Sequence, residues 1–595
     1  MDYYLVSKRN ENKNKSVEEK NKEHYAFLNI HLKHLLSNCR YLIKTNEYNS
    51  ITIQYGYLFE HIRNDLIKLF TLFIPLEKRS EILKLKWLDY DYNIKLFNEL
   101  INFNVPDFVY WIFLYIPYYN KENISEKRKL LLKLIDYFII NWPQRLYFQE
   151  NEFMFITQST YLSYPLVYHN QPNKLLLSKI CELNRTICPS LNWTNPNIDS
   201  LLLNNTNNDT NNDTNNDTNN DTNNNSKKKI KVCFISDSLT CESSVIRDRM
   251  GIILNLDKEI FDIYYAGTVK SDDIIFKVSA QFKKSMEGKY IKLDNKDLKT
   301  SRKILQSCNF NIIIYPDIGM KSFQTYLSYS RIAPIQINTW GHSDTSGIDT
   351  IDYYISSKYF ELNYEEAKNH YSEKLLLLDS LSTYYYEPVK LFCREDYKFK
   401  TREELKIPQD EHIYWCMQTF YKIDNDFEKK VFGEILKRDK KAKIFLINHQ
   451  PFCSSHRKRI IKNIGEENKD KIVFFPALIK EDFYNFIKVS DVLLDPYPFG
   501  GCNSSIEGIT FDKPVITRPS DFINGRFTYG FYKKMGIDDC IVNNYEDYVE
   551  LALKLTENKE YYNEISNKIN KCKHMIFEEK KSIDDWSNTL KKLCK

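Results

Sequence analysis

The sequence predicts an α/β protein of two Rossmann-like lobes, preceded by an α-helical N-terminal domain, and three observations carry that expectation. Beyond residue 229, short β-branched and aromatic runs alternate with helical segments in two successive series. Before residue 198, apolar positions recur every three or four residues, as in Leu66, Leu69, Phe70, Leu72 and Phe73. Between the two lies an asparagine-rich stretch from Asn204 to Ser226, with NNDT repeated four times and almost nothing apolar to bury.

Each element follows from its own pattern. Residues 1–198 read as an α-helical domain, without a clean repeat period, and 199–229 as a disordered linker. The linker's N-x-T triplets match glycosylation acceptors in form only, as chance products of the repeat. Residues 230–390 hold the first lobe, with strand candidates at 230–236, 261–267, 310–317, 334–341 and 352–357. Residues 391–595 hold the second, with candidates at 412–418, 443–449, 471–477, 491–498 and 513–519. Helices at 548–558 and 579–592 close the chain, the last placed to cross back over the first lobe. In such folds ligands bind at the carboxyl ends of the strands.

Composition narrows the function classes. At 595 residues the chain exceeds what one core serves. Lys+Arg exceed Asp+Glu by only 84 to 79, so charge argues for neither a nucleic-acid nor a membrane partner. The thirteen cysteines form no CxxC pair and no His/Cys cluster at ligand spacing, so no metal site and no disulfide framework is expected. The N-terminus lacks an apolar signal core, and the most apolar run, Phe108 to Pro117, is half the roughly 20 residues a membrane span needs. A reduced, cytoplasmic or nuclear setting with no membrane span is the expectation.

The most informative segment is Asp491 to Glu507, DVLLDPYPFGGCNSSIE, where a buried strand runs into a Pro-rich turn, two glycines and small polar residues opening a helix. Gly500 and Gly501 let backbone approach an anion closely. The amides of Cys502, Asn503 and Ser504 stand at the helix N-terminus, where the dipole favours negative charge. Glu507, one turn further in, is placed to accept ribose hydroxyls. The alternative is an ordinary glycine turn with Asn or Ser capping a helix.

The stretch from DPYPFGGCNSSIEG to NGRFTYGFYKKMGI resembles the donor-site region of the O-GlcNAc transferase and SPINDLY family of glycosyltransferases, closest to bacterial-type members. QTFYKID, ALIKEDF, IIIYPDIGM, RIAPIQINTWGHSDTSG and IDYYISSKYFE resemble the family in the same order, as do YLSYPLVYHNQ and CPSLNW before the linker. The resemblance implies a GT-B fold and inverting, metal-independent transfer of a sugar from a nucleotide donor in the interlobe cleft. No cofactor is implied beyond the donor itself. It also implies roles: Lys422 neutralises the diphosphate, Gln418 contacts nucleotide or phosphates, and Lys480 lies beside the base pocket, with Phe483 where animal members place a stacking histidine.

Arg526 matches an arginine near the donor, either as a bidentate ligand or in a structural pair. Gly341 and His342 match a loop approaching the transferred sugar, with His342 the candidate acid/base. Asp317, at a strand's carboxyl end, is a second candidate for the acceptor's proton, its alternative being a helix cap. The chain departs from the family after FISDS, where a histidine turn is replaced by LTCESS; Glu242 stands near that position as a substitute base. The expected activity is transfer of GlcNAc from UDP-GlcNAc to Ser or Thr of intracellular proteins. The alternatives are GDP-fucose as donor, or a nucleotide-sugar-binding scaffold without turnover.

Overall fold

The structure, a computed structural model, describes residues 124–150, 164–201, 229–240, 243–269, 280–393, 396–447 and 453–595. Most of the N-terminal helical region, the Asn-rich linker, Cys241 and Glu242 lie outside the described residues. The chain divides into two compact units, Met1–Asn141 and Trp142–Lys595. Of the first, the described part is α1 (Ile124–Asn141), which buries Leu130, Leu131, Leu134, Ile135 and Phe138 at helical spacing. Residues 164–201 belong to the second unit, so the helical domain expected over 1–198 is divided well before its expected end.

The second unit is built on two parallel sheets. The first has seven strands, β1 (Ile230–Ile235), β2 (Phe261–Gly267), β3 (Tyr290–Lys292), β4 (Ile312–Tyr315), β5 (Ile335–Thr339), β6 (Tyr353–Ser357) and β7 (Lys374–Leu378), in the order β3-β2-β1-β4-β5-β6-β7. The second has five, β8 (His412–Cys416), β9 (Ala442–Ile447), β10 (Ile472–Phe475), β11 (Val492–Leu494) and β12 (Val515–Ile516), in the order β10-β9-β8-β11-β12. Their central strands are continuous apolar runs buried along their length, as parallel strands covered on both faces must be. Each sheet reverses its strand order once, between β1 and β4 in the first and between β8 and β11 in the second. Those reversals open the crevices in which α/β folds bind ligands.

Five helices position the site. α2 (Lys174–Ile187) buries Leu176, Leu177, Ile180, Leu183 and Ile187, and its first turn packs so closely on Gly347 that a Cβ there would lie 2.4 Å from the Leu177 carbonyl carbon. α3 (Ser244–Asn255) follows β1 and is capped by Ser243, whose hydroxyl accepts from the Ile246 amide. α4 (Lys480–Val489) precedes β11, and α5 (Asn503–Thr510) follows it. α6 (Lys580–Leu593) returns from the second lobe to the first, where Trp586 and Leu590 enter the core formed by Val232, Phe234, Ile312 and Ile337. The Trp586 indole donates to the Ser382 carbonyl at 3.0 Å. The two lobes thus share their last helix, and the first is completed by residues more than two hundred positions beyond its sheet. Among the described residues no helix is long and apolar enough to cross a membrane.

Candidate active site

At the reversal of the second sheet, the loops after β8 and β11 meet. Lys422 comes from the first, Phe499, Gly500 and Gly501 from the second. The Lys422 ammonium donates to Gln418 Oε1 at 2.8 Å and to the Gly500 carbonyl at 3.2 Å, and stands 4.2 Å from the centre of the Phe499 ring. Two of its three donors are thereby used. Burial brings this lysine down to about 8, against the opposing pull of Asp495. Gln418 spends both ends of its amide inside the protein, its oxygen on Lys422 and its nitrogen on the Ser504 hydroxyl. It links the cation to the first turn of α5.

The glycine turn is shaped by a carboxylate that sequence reasoning passed over. Asp495, buried at the end of β11, accepts from the Gly501 amide and from Thr517 Oγ1 at 2.8 Å. The Gly500 amide is taken by the Asn524 carbonyl. The glycines' amides are therefore committed, and their contribution is space. A Cβ on Gly501 would lie 2.6 to 2.7 Å from Ser505 Oγ, Ser504 Oγ and Gln418 Nε2. Gly501→Ala is expected to push the Gln418 amide away from Lys422 while leaving the fold intact, since all three neighbours are side-chain ends. The loss of one such hydrogen bond corresponds to roughly tenfold weaker nucleotide binding, read by calorimetric titration of the variant.

Past the glycines, α5 opens with no side-chain cap. Among the described residues the amides of Cys502, Asn503 and Ser504 donate to no acceptor. Their side chains are engaged: Cys502 Sγ lies 3.2 Å from Tyr385 Oη, and Asn503 donates to Asp248 Oδ1 at 2.8 Å. Asp248 belongs to α3, so the first lobe braces the N-terminal turn of α5 by its side chains and leaves the backbone donors open. An uncapped turn with a lysine beside it is an anion site in chemical terms.

Glu507, one turn into α5, is 2% exposed and held by charge. Its Oε1 accepts from Arg247 at 2.6 Å, from Lys480 at 2.6 Å and from Tyr484 Oη at 3.3 Å. Burial alone would raise this carboxyl; Arg247 and Lys480 overcome it and hold it below its ordinary value. Phe483 packs into the core, 5.0 Å from Trp415, and offers Lys480 a ring face.

On the first-lobe side, His342 is 8% exposed and its ring stacks on Tyr164 at 5.5 Å and 19°. Burial lowers it to about 4, so the imidazole is neutral at neutral pH. Gly341 is small because a Cβ would meet the Pro316 carbonyl oxygen at 2.4 Å, and its amide is spent on that same oxygen. Asp317 is fully buried and covered by Ser238, whose hydroxyl donates to Oδ2. Its Oδ1 has no hydrogen-bond partner among the described residues, and burial raises the carboxyl above its ordinary value. Of its two expected roles, Arg526 shows structural partners, though these are carbonyls and not a carboxylate. It donates to the carbonyls of Phe360, Ser520 and Glu361 at 3.0, 3.1 and 3.4 Å, so its guanidinium ties the lobes together.

A third wall comes from residues before the linker. Tyr164 and Tyr168 share a hydrogen bond at 2.9 Å between their phenols. Tyr168 stacks on Phe499 at 4.9 Å and meets Tyr421 edge-on at 4.6 Å. Asn170 donates to Tyr497 Oη at 2.8 Å, and Asn524 to the Val167 carbonyl at 2.6 Å. The segment therefore bridges the His342 loop of one lobe and the Lys422 and Phe499 loops of the other. Its sequence signal was the resemblance of YLSYPLVYHNQ to the family, which gave its residues no role.

Two parallel-sheet lobes with a lysine and an open helix N-terminus at the second lobe's crevice define the GT-B architecture. Residues 393–585 match the model of Glycosyl transferase family 41. That match covers the second sheet and the helices that follow it. The chain is similar to the probable UDP-N-acetylglucosamine--peptide N-acetylglucosaminyltransferase SEC of Arabidopsis thaliana, with 25% identity over 43% of this chain and 26% of the relative. It is equally similar to a UDP-glucose:protein N-beta-glucosyltransferase of Actinobacillus pleuropneumoniae, with 26% identity over 44% of this chain and 40% of the relative. The similarity thus spans less than half the length of either protein. A solved structure of a Thermobaculum terrenum O-GlcNAc transferase mutant shares the fold, with a TM-score of 0.52 and 15% identity over 85% of this chain and 98% of that one.

Proposed function

We propose that the chain is a protein glycosyltransferase that takes a sugar from a UDP-sugar donor, with UDP-GlcNAc as donor and a Ser or Thr hydroxyl as acceptor. The observation that carries the reading is the pairing of Lys422 with the unoccupied amides of α5. Together they supply fixed positive charge where a leaving nucleoside diphosphate develops negative charge, which stabilises the transition state more than the ground state. UDP is favoured over GDP because both relatives above carry UDP in their names.

In this mechanism the acceptor oxygen bonds to the anomeric carbon from the face opposite the diphosphate as the bond to the diphosphate oxygen breaks, the hydroxyl proton passes to water, and configuration inverts. Lys422 and the α5 amides take the diphosphate's charge as the bond breaks. His342, neutral and weakly basic, accepts a hydrogen bond from the acceptor or the sugar and orients it; with a value near 4 it is a poorer proton acceptor than a base poised near neutrality. The second relative's name supports a second reading with the same donor half and an amide nitrogen as acceptor. Titration of the protein with UDP, GDP and their sugar conjugates in EDTA, followed by mass analysis of glycosylated peptides, tests both. Tight UDP binding with sugar on Ser or Thr supports the first, sugar on Asn the second, and preference for GDP or no nucleotide binding overturns the donor assignment.

A further inference from the structure

Arg247 was not among the residues expected to bind anything. It lies on α3 of the first lobe, yet its guanidinium crosses to the second and donates to Glu507 at 2.6 Å. The side chain is 15% exposed and its partner 2% exposed, so this is a desolvated interlobe pair and not a surface contact. Lys480 reaches the same oxygen from α4. Arg247 and Lys480 also flank one ring, standing 5.5 and 5.3 Å from the centre of Phe392 in the segment that joins the lobes.

All three donors to Glu507 converge on Oε1. A carboxylate has two oxygens and about four lone-pair sites, so this leaves Oε2 as the edge on which further donors can be accepted. Glu507 sits one turn beyond the open amides of α5 on the same helix, and a carboxylate beside a phosphate-binding helix N-terminus is the group that accepts ribose hydroxyls in nucleotide folds. Two cations on one oxygen also keep the carboxylate ionised, the form that accepts from both hydroxyls of a diol.

Resting on the donor reading above, we infer that Arg247 is a donor-positioning residue contributed by the first lobe, which orients the Glu507 carboxylate toward the ribose hydroxyls. Ribose recognition by the second lobe then depends on the first lobe being docked against it. Discrimination of the ribose hydroxyls and lobe docking are coupled through this contact, alongside the side-chain bonds by which the first lobe braces the start of α5.

The test is calorimetric titration of the full chain and its Arg247→Ala, Arg247→Gln and Arg247→Lys variants with UDP, 2′-deoxy-UDP and 3′-deoxy-UDP. The native protein should prefer UDP over the deoxy analogues by about tenfold or more, the range of a hydrogen bond to a charged group. Arg247→Ala and Arg247→Gln should reduce that preference to near unity while still binding inorganic pyrophosphate, and Arg247→Lys should restore part of it. A purely structural tie between lobes would weaken all three nucleotides alike, and an unchanged preference in Arg247→Ala and Arg247→Gln overturns the inference. Native protein that binds UDP without discriminating the deoxy analogues overturns it while sparing the donor assignment, and native protein that binds no nucleotide overturns both.

Discussion

Lys422→Ala lowers kcat by about two to three orders of magnitude, the range set by removing one preorganised donor from a developing negative charge. The protein stays folded, because the ammonium is partly buried beside an aromatic ring and two acceptors that relax onto water when it goes. The same residue sets a pH dependence. Burial places the free enzyme's lysine near 8, and the protonated form is the active one. kcat/KM therefore holds below that value and falls as pH rises through it. Bound phosphates stabilise the ammonium, so the corresponding limb in kcat lies at higher pH. Steady-state rates from pH 6 to 10 measure both, and full activity in the alanine variant would remove Lys422 from the mechanism.

Glu507→Ala destabilises the protein by about 3–5 kcal/mol, because Arg247, only 15% exposed, is left without its counter-charge. Urea unfolding followed by circular dichroism measures the loss. The sign with pH follows from the direction of the shift. The folded-state carboxyl is held below the ordinary glutamate value, so its contribution is fully present above the unfolded value, near 4.5, and is lost as pH falls through the lower folded one. The difference in stability between native protein and Glu507→Ala should therefore shrink in acid below the ordinary glutamate range and stay constant above it.

The fold was legible because parallel strands buried on both faces are written as apolar β-branched runs, and ten of these appear as strands of the two sheets. β3 and β7 were not read, for different reasons. Tyr290–Lys292 is only three residues at a sheet edge, and Lys374–Leu378 is a leucine run without the β-branched residues that mark a strand. The grouping of Lys422, Gly500, Gly501 and the start of α5 was equally visible, since these residues lie in two short loops whose chemistry is local. What sequence could not show is which atoms are already spoken for. Gln418, Gly341, Asp317 and Arg526 each hold at least one hydrogen bond to a neighbour that sequence spacing does not reveal. Arg247 and Tyr168 escaped notice for the converse reason, as ordinary helix and loop residues whose meaning comes from partners 260 and 331 positions away.

The return of α6 to the first lobe has a consequence for synthesis. The first sheet is finished by residue 378, but Trp586 and Leu590, which fill its core, emerge about 200 residues later. At typical elongation rates of about 5–20 residues per second, that is a delay of about 10–40 s during which the nascent first lobe exposes the apolar seat of a missing helix. Chaperone occupancy on ribosome-bound chains should therefore persist through translation of the second lobe and end only when the last helix is released.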